Sequence, residues 1–167
     1  ANSDAEDWWP GLVGEGFTLD PADYFIVCVN MLSSSYGSTS PKSIDPKTGE
    51  PYGLNFPLVT TRDQARFFDL VADYLGIRRI RLLMGGSMGG QWAGEWACLK
   101  PGRFDLLCLR ATNARFSPYG IALNESQRMA LRADPTLGTD APDAGRLGLE
   151  AARSMAVLSY RHYRTYH

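Results

Sequence analysis

The chain lacks the features that mark nucleic-acid-binding, membrane and secreted proteins. Its 167 residues carry a formal net charge of −1, and no run of lysine and arginine indicates binding to nucleic acid or to an anionic membrane. No apolar stretch is long enough to cross a bilayer, and the first residues have neither the basic start nor the apolar run of a signal peptide. We therefore expect a small-molecule partner and a cytoplasmic location.

Cysteine is scarce as well, and its placement excludes several kinds of chemistry. The three cysteines, Cys28, Cys98 and Cys108, are odd in number, and each lies within an apolar stretch without a histidine nearby in sequence. This pattern favours small buried side chains in a reducing compartment over a disulfide framework, a metal site or a catalytic thiol. The sequence thus predicts no bound metal, and its length suits one hydrophobic core.

The order of apolar runs in the first part of the chain predicts an α/β fold with parallel strands. Strands are expected at residues 24–30, 79–84 and 104–109. One helix is expected to begin at a Thr61–Gln64 capping box and to end at Gly76, and a second is expected at residues 91–99. About thirty residues rich in Ser, Gly, Pro and Thr follow the first strand, and their turn chemistry predicts an ordered, wrapped loop.

The second part of the chain is predicted to be all-helical. Ser117 and Pro118 form a typical helix start, with a capping hydroxyl before a proline at the first helical position, and this helix could run to about Ala133. Residues 134–144 are expected to form a loop, and residues 146–166 a second helix. We place the boundary of the two parts between residues 116 and 117.

The segment Gly85-Gly86-Ser87-Met88-Gly89 matches G-x-S-x-G and stands between a predicted strand and a predicted helix. In that context the motif predicts a nucleophile elbow, in which a strained turn exposes the serine hydroxyl at a helix N-terminus. Ser87 is therefore the candidate nucleophile, and the backbone N–H of Met88 the candidate oxyanion donor. A phosphate-binding loop is disfavoured because the G-K-[ST] ending and a nearby lysine are missing.

Several stretches along nearly the whole chain resemble one known family, the homoserine O-acetyltransferases of the α/β-hydrolase superfamily. The stretches are WWPGLVGEG, YFIVCVN, YGSTSPKSIDPKTGEPYG, FPLVTTRDQ, GGSMGGQWAGEWA and ATNARFSPYGIALNESQR. The resemblance implies a partial α/β-hydrolase fold. Residues 1–116 would form the central part of its core, and residues 117–167 the start of a helical lid domain.

The resemblance also implies a reaction. Acetyl-CoA, as a substrate and not as a bound cofactor, would acetylate Ser87, and the acetyl group would pass to the γ-hydroxyl of L-homoserine for methionine biosynthesis. A transfer in two steps, with a serine ester as the intermediate, is chemically reasonable because it replaces one difficult step by two easier ones. The family's lid helices commonly mediate dimerisation, so a homodimer through these helices is expected.

Two lid residues match the family's pattern for holding the amino acid: Arg153 and Tyr160. Positions 149, 153, 156 and 160 share one face of a helix, so both side chains would line up. A guanidinium on an otherwise apolar face suits bidentate capture of a carboxylate. The alternative is an arginine that pairs with Glu150 or extends to solvent.

The remaining members of a catalytic triad are not identified in this sequence. On this fold the acid and the histidine follow Ser87 in chain order, and the resemblance places both after later strands that lie outside the chain. His162 and His167 are the only histidines, and His162 is expected to be a surface or lid residue. Asp105 and Asp143 follow Ser87, but no pattern supports either as the triad acid.

The family's first strands and its second oxyanion donor match positions before residue 1. In the family's sheet, one of these strands lies beside both the strand matched by residues 24–30 and the strand matched by residues 79–84. We therefore expect the chain to be part of a larger protein and not catalytically complete by itself. It also departs from the family at Leu32–Ser35, at Ser40 and at Gln91–Trp92, and a tryptophan at the last place could fill space near the acyl pocket.

Two other functions stay open. An esterase or thioesterase would use the same fold with water as the acceptor, and a non-catalytic fragment or subunit would contribute only an interface. The sequence does not distinguish an acetyl from a succinyl donor, because one extra group in a pocket changes binding by only about 1–3 kcal/mol. It also does not distinguish homoserine from serine or another hydroxylated acceptor.

Overall fold

In the computed structural model, which describes residue 9 and residues 11–166, the chain divides into two units, Ala1–Arg110 and Ala111–His167. The first unit contains helix α1 (Thr61–Tyr74), strand β1 (Ile80–Gly86), helix α2 (Met88–Leu99) and strand β2 (Phe104–Arg110). The second unit contains helices α3 (Pro118–Arg132) and α4 (Arg146–Tyr160). The assignment of a core to residues 1–116 and of a lid to residues 117–167 remains a prediction.

The two strands confirm the predicted parallel α/β architecture. β1 and β2 pair in parallel, with Ile80 opposite Phe104 at one end and Gly86 opposite Arg110 at the other. Helix α2 packs against both strands and against α1. Both strands lie within a residue or two of their predicted bounds, and α2 begins three residues earlier than expected, directly after the candidate nucleophile.

The strand expected at residues 24–30 is absent, and this prediction is wrong. The sheet formed by the described residues has two strands, β1 and β2, and residues 24–30 pair with neither of them. An apolar, β-rich run forms a strand only where a neighbour satisfies its backbone N–H and C=O groups. Without that neighbour its side chains lie open, and Phe25 is 79% exposed.

The three cysteines are unpaired, as expected, but they are exposed and not buried. Cys28 lies in the unpaired segment 24–30, and Cys108 lies on β2, which has no neighbour on its outer edge among the described strands. Apolar neighbours in sequence bury a side chain only if another layer covers that face. No helix within residues 11–166 is long and apolar enough to cross a membrane.

The C-terminal end of α1 is as predicted, and its N-terminal capping box is shifted by one residue. The capping box is formed by Thr60 and Asp63, one residue earlier than the predicted Thr61–Gln64 pair. The Thr60 side chain accepts from the Asp63 N–H, and the Asp63 carboxylate accepts from the Thr60 N–H. At the other end Gly76 has φ +72° and follows the helix as predicted, with its N–H donating to the carbonyl of Asp73.

The core of the first unit lies between α1 and α2. Its buried members are Ala65, Ala72 and Trp96, and the partly buried side chains packed against them are Phe68, Ile77, Ile80, Leu83, Leu99 and Phe104. The Trp96 ring meets the ring of Phe104 edge-on, with centroids 5.0 Å apart. The small side chains of Ala65 and Ala72 let α2 approach α1 closely. The indole of Trp96 fills the space between the two helices and the sheet.

A cluster of charged groups lies at the edge of this core, next to the start of β2. Asp69 accepts hydrogen bonds from the indole Nε1 of Trp96 at 2.9 Å and from the guanidinium of Arg103 at 2.6 Å, and Lys100 lies 3.4 Å away. Arg103 also donates to Asp73 at 2.7 Å. The cluster ties the C-terminal half of α1 to the segment that enters β2.

The long loop after residue 30 is ordered, as its turn chemistry predicts. Ile44 and Pro51 form an antiparallel bridge, and the N–H of Asp45 donates to the carbonyl of Glu50 at 2.8 Å. Ser40 is buried, and its N–H donates to the hydroxyl of Ser43 at 3.0 Å. Local hydrogen bonds of this kind satisfy the backbone where no helix or sheet does.

In the second unit α3 and α4 pack through small residues. Gly148, Ala152 and Ala156 form the buried stripe of α4, and a Cβ atom at Gly148 would lie 2.9 Å from the carbonyl oxygen of Ala130. The buried Asp134 carboxylate accepts from the N–H of Gly148 at 2.9 Å and so caps α4. The predicted start of α3 at Ser117 is confirmed, whereas α4 ends at Tyr160 and a 3-10 turn, Tyr163–Tyr166, follows.

We expect Asp69→Asn to destabilise the first unit by about 1.5–3 kcal/mol at neutral pH, because Arg103 and Lys100 would lose their shared carboxylate. Burial raises the pKa of Asp69, but the bonds from Trp96, Arg103 and Lys100 outweigh burial and hold that pKa below its ordinary value of 3.8. The stabilisation is therefore complete above that value and is lost as the pH falls through the lowered pKa. Denaturant unfolding at several pH values measures it.

Asp73→Asn is the matched control, since Asp73 pairs with the same arginine but is 62% exposed and should matter much less. Equal destabilisation by both substitutions, or a difference that does not shrink in acid, would contradict the assignment.

Candidate active site

Ser87 occupies a strained turn between β1 and α2. Its backbone has φ +53° and ψ −122°, a conformation that residues other than glycine rarely adopt. It is the N-cap residue of α2, but its side chain makes no capping bond to the helix. The residue is exposed, at the end of the sheet where β1 stops. This is the local geometry that a nucleophile elbow requires.

Backbone hydrogen bonds on both sides of Ser87 hold the turn in place. The Ser87 N–H donates to the carbonyl of Arg110, the last residue of β2, at 2.9 Å. The Ser87 carbonyl accepts from the N–H groups of Gly90 and Gln91 at 3.0 and 3.3 Å. The conformation of Ser87 is thus fixed by the neighbouring strand and by the first turn of α2.

Gly85 allows the strand and the helix to meet closely enough to form the turn. A Cβ atom at this position would lie 2.8 Å from the backbone nitrogen of Gly90 and still closer to the carbonyl group of Gly89. By contrast, a Cβ atom at Gly89 would meet nothing within 4 Å. Of the two outer glycines of the motif, the first is therefore required by space and the second is not.

The backbone N–H of Met88 lies in the first turn of α2, where N–H groups have no partner inside the helix. The positive end of the helix dipole adds to the attraction for negative charge at this place. Met88 can therefore supply one hydrogen bond to an oxyanion that forms on a carbonyl attacked by Ser87. Its assignment as the oxyanion donor remains a prediction.

Asp105 lies at the wrong end of the sheet to serve Ser87. It is near the start of β2, and Arg110 beside the elbow lies five positions, about 16 Å, further along the strand. It pairs with Arg79 and Arg81, and the hydrogen bond from Arg79 is the largest cause that lowers the pKa of its carboxyl. Asp105 is thus part of an ion-pair cluster remote from the candidate nucleophile.

The predicted acceptor residues belong to the second unit. Arg153 and Tyr160 both lie on α4 and are exposed. Glu150, the alternative partner of Arg153, pairs instead with Arg146 at 3.4 Å. Within the described part of the chain Arg153 has no ion-pair partner, so its guanidinium is available to a carboxylate. The substrate role of these two residues remains a prediction.

His162 follows α4 and is exposed, in agreement with a surface position. Its Nδ1 accepts from the N–H of Arg164 at 3.4 Å, and its ring centroid lies 4.2 Å from that of Tyr163. His167 lies outside the described residues. No cluster of three or more His, Cys, Asp or Glu side chains suited to a metal ion occurs among the residues that the structure describes.

One feature near the elbow was not predicted. A hollow of about 190 Å³ lies between the first turns of α1 and α2 and the loop after residue 30, and we call it the α1–α2 hollow. Its lining residues are Met31, Leu32, Ser33, Val59, Thr60, Thr61, Gln64, Met88, Gln91 and Trp92. They come from three separate segments, so no local sequence pattern could have placed them together.

A model of the alpha/beta hydrolase fold family matches residues 2–151 of the chain. Among curated proteins, the chain is 46% identical over 165 residues to a homoserine O-acetyltransferase of Cyclobacterium marinum, covering 99% of this chain and 47% of that protein. It is 44% identical over 160 residues to the homoserine O-acetyltransferase of Moorella thermoacetica, covering 92% of this chain and 42% of that protein. The resemblance noted in the sequence is thereby confirmed, and the chain spans less than half the length of these relatives.

Solved structures give the same fold. A homoserine O-acetyltransferase from Bacillus anthracis superposes with a TM-score of 0.85 at 30% identity, over 95% of this chain and 45% of that one. A variant of an esterase superposes with a TM-score of 0.88 at 25% identity, over 99% of this chain and 48% of that one. The predicted partial α/β-hydrolase fold is confirmed, and both transferases and esterases share it.

We expect Gly85→Ala to destabilise the protein by about 1–3 kcal/mol, because the added methyl group would press on the backbone of α2. The same substitution at Gly89 should be neutral or slightly stabilising, because alanine favours a helix and finds open space there. Thermal unfolding of the two variants beside the parent checks this contrast. A Gly85→Ala protein as stable as the Gly89→Ala protein would show that the strand and the helix do not approach as described.

Proposed function

The chain belongs to the α/β-hydrolase fold family, and on that premise we propose that it is the central part of a serine acyltransferase. The protein would move an acetyl group from acetyl-CoA to the hydroxyl of L-homoserine, through an acetyl-Ser87 intermediate, as a step of methionine biosynthesis in the cytoplasm. The observation that carries the proposal is the strained, exposed Ser87 whose backbone is fixed by Arg110, Gly90 and Gln91. The homoserine O-acetyltransferases that the chain resembles supply the donor and the acceptor.

In the first step the Ser87 hydroxyl loses its proton to a base and its Oγ attacks the thioester carbonyl of acetyl-CoA. The carbonyl oxygen becomes negative, and the N–H of Met88 stabilises it. When the tetrahedral intermediate collapses, the carbon–sulfur bond breaks, and the thiolate of CoA leaves and takes up a proton. The product of this step is an oxygen ester on Ser87.

In the second step the homoserine hydroxyl attacks the ester and releases Ser87 with its proton restored. On this fold the acid and the histidine follow the serine in chain order, and we place both in the part of the relatives' length that this chain does not span. The turn at Ser87 does not have to change between the two steps, because an oxyanion forms at the same place in each.

Arg153 and Tyr160 would hold the acceptor. The guanidinium of Arg153, which has no ion-pair partner among residues 11–166, can form a fork of two hydrogen bonds with the homoserine carboxylate, and the hydroxyl of Tyr160 can bond to the same amino acid. In this proposal residues 117–167 begin a lid domain that excludes water from the ester, and the lid helices join two copies in a homodimer. Exclusion of water is what favours transfer over hydrolysis.

An esterase is the second candidate, and a specific observation favours it. A solved esterase superposes on this chain as closely as a solved homoserine O-acetyltransferase does, at a TM-score of 0.88 against 0.85. The same serine and oxyanion donor would serve, with water as the acceptor. The fate of the acyl group therefore decides between the two functions.

We expect the full-length protein that carries this segment to become acetylated on Ser87 when it is mixed with acetyl-CoA. Peptide mass spectrometry locates the group, and added homoserine should remove it as O-acetylhomoserine. Ser87→Ala should abolish the label, whereas Ser126→Ala in α3, a serine whose hydroxyl bonds to the Ala122 carbonyl, should not. Release of acetate at a rate independent of homoserine would favour the esterase, and the absence of any label would favour a non-catalytic role.

We expect Arg153→Ala to raise the KM for homoserine by about tenfold to a hundredfold, the effect of losing a hydrogen bond to a charged group. The rate of Ser87 acetylation in the absence of homoserine should not change. Arg146→Ala, which removes another exposed arginine from α4, is the control and should leave the KM unaltered. A homoserine KM that is equal in both variants would remove Arg153 from the acceptor site.

A further inference from the structure

We propose that residues 161–164, directly after α4, bind the nucleotide end of acetyl-CoA, and we call these four residues the 161–164 segment. The rings of His162 and Tyr163 would contact the adenine, and the guanidinium groups of Arg161 and Arg164 would bind the phosphates. The proposal rests on the proposed acetyl transfer, and it adds a site for the part of the donor that does not react.

Positive charge is concentrated in the part of the sequence that contains this segment. Residues 151–167 include three arginines and no aspartate or glutamate, so they carry a formal charge of +3, whereas residues 1–150 carry −4. Arg161 and Arg164 are exposed, and neither has an ion-pair partner among residues 11–166. Two neighbouring guanidinium groups without a carboxylate partner favour an anionic ligand, and phosphate suits their geometry.

Aromatic rings lie beside these arginines in a turn whose shape is fixed. The N–H and the hydroxyl of Thr165 both donate to the carbonyl of His162, at 2.8 and 2.6 Å. The ring centroids of His162 and Tyr163 lie 4.2 Å apart, and the Nε of Arg164 donates to the Tyr163 hydroxyl at 3.3 Å. Both rings belong to exposed residues. A base can therefore add to a pair of rings that is already ordered, which lowers the entropy cost of binding.

Rings and guanidinium groups side by side are the chemistry that recognises a nucleotide. Bases stack on aromatic side chains and on the planes of arginine, and arginine forms paired hydrogen bonds with phosphate oxygens. The segment has only four residues, which suits one base with its adjacent phosphates. A longer polyanion, such as a nucleic-acid strand, is disfavoured by the negative net charge of residues 1–150.

The dipole of α4 accounts for only part of this cluster. Arg161 is the C-cap residue of α4, where the partial negative charge of the helix end favours a cation. Arg164 lies three residues beyond the cap, and the effect of the dipole is confined to the last turn of a helix. The dipole also gives no reason for the paired rings. A nucleotide ligand accounts for the second arginine and for the rings together.

The chemistry of the donor determines which kinetic constant this segment should control. In acetyl-CoA an uncharged pantetheine arm separates the nucleotide from the thioester that Ser87 attacks. Contacts to the nucleotide are therefore the same in the ground state and in the transition state of the attack. Losing such contacts raises the KM for the donor and leaves kcat unchanged.

The test compares two donors in the full-length protein that carries this segment: acetyl-CoA, and S-acetylpantetheine, which has the same thioester and no nucleotide. We expect Arg161→Gln and Arg164→Gln each to raise the KM for acetyl-CoA by about tenfold, the effect of losing a hydrogen bond to a charged group. The kcat with acetyl-CoA and the kcat/KM for S-acetylpantetheine should keep the parent's values. Added salt should raise the KM for acetyl-CoA alone, because it screens the phosphate contacts.

Three further variants test the rings and control for charge. Tyr163→Leu removes the ring and should raise the KM for acetyl-CoA by about tenfold, the effect of one lost stacking contact. Tyr163→Phe keeps the ring and should not raise it. Arg132→Gln in α3 is the matched control, because it removes an exposed arginine of the same unit that pairs with Glu125, and it should leave the KM for both donors unchanged.

Binding of adenosine 3′,5′-bisphosphate, the nucleotide part of CoA, gives a second measurement that needs no activity. We expect the full-length parent to bind it in a calorimetric titration, and the bisphosphate to compete with acetyl-CoA. Arg161→Gln and Arg164→Gln should each weaken this binding by about tenfold. Arg132→Gln should bind it as the parent does.

The outcomes separate this proposal from the one on which it rests. An equal KM for acetyl-CoA in Arg161→Gln, Arg164→Gln and Arg132→Gln would overturn it, as would an increase that is equally large with S-acetylpantetheine. If acetyl-CoA labels Ser87 but the bisphosphate does not compete, the acetyl transfer stands and the nucleotide site falls. If no thioester labels Ser87, yet the parent binds the bisphosphate and the two arginine variants bind it more weakly, the transfer falls. The site then stands with a free nucleotide as its ligand.

Discussion

The close approach of β1 to α2 at Gly85 is the constraint on which the candidate site depends. Because Gly85 has no side chain to hold the strand away from the backbone of Gly89 and Gly90, the chain can reverse within one residue, and Ser87 has the positive φ of this tight turn. The bond from its N–H to the carbonyl of Arg110 then transmits the position of β2 to the nucleophile. The reactivity proposed for Ser87 is thus a property of the strand–helix–strand unit and not of the serine alone.

Local patterns were sufficient to predict the elements that local chemistry determines. Three signals lie within a few residues each, and the structure agrees with them: Gly76 at the end of α1, Ser117–Pro118 at the start of α3, and the G-x-S-x-G motif. The capping box of α1 was misplaced by one residue, because Thr60 and Thr61 are both plausible caps and only the position of Asp63 distinguishes them.

Features that depend on distant segments could not be predicted. Residues 24–30 have a strand-like composition, but a strand also needs a partner, and the described sheet offers none to this segment. Gln64 was expected to cap a helix, yet it bonds to Leu32, which is 32 positions away in the chain. The α1–α2 hollow and the exposure of Cys108 on β2 likewise result from what lies beside each segment in space.

The outer edge of β2 has a consequence for handling this polypeptide. Among the described strands β2 pairs with β1 alone, on one side, and Leu106, Leu107 and Leu109 are all at least 44% exposed. A row of unpaired amide groups flanked by leucines is a template onto which another extended chain can add. Produced by itself, the segment should therefore be prone to aggregate through this edge, and its solubility should depend on whether a further strand is supplied.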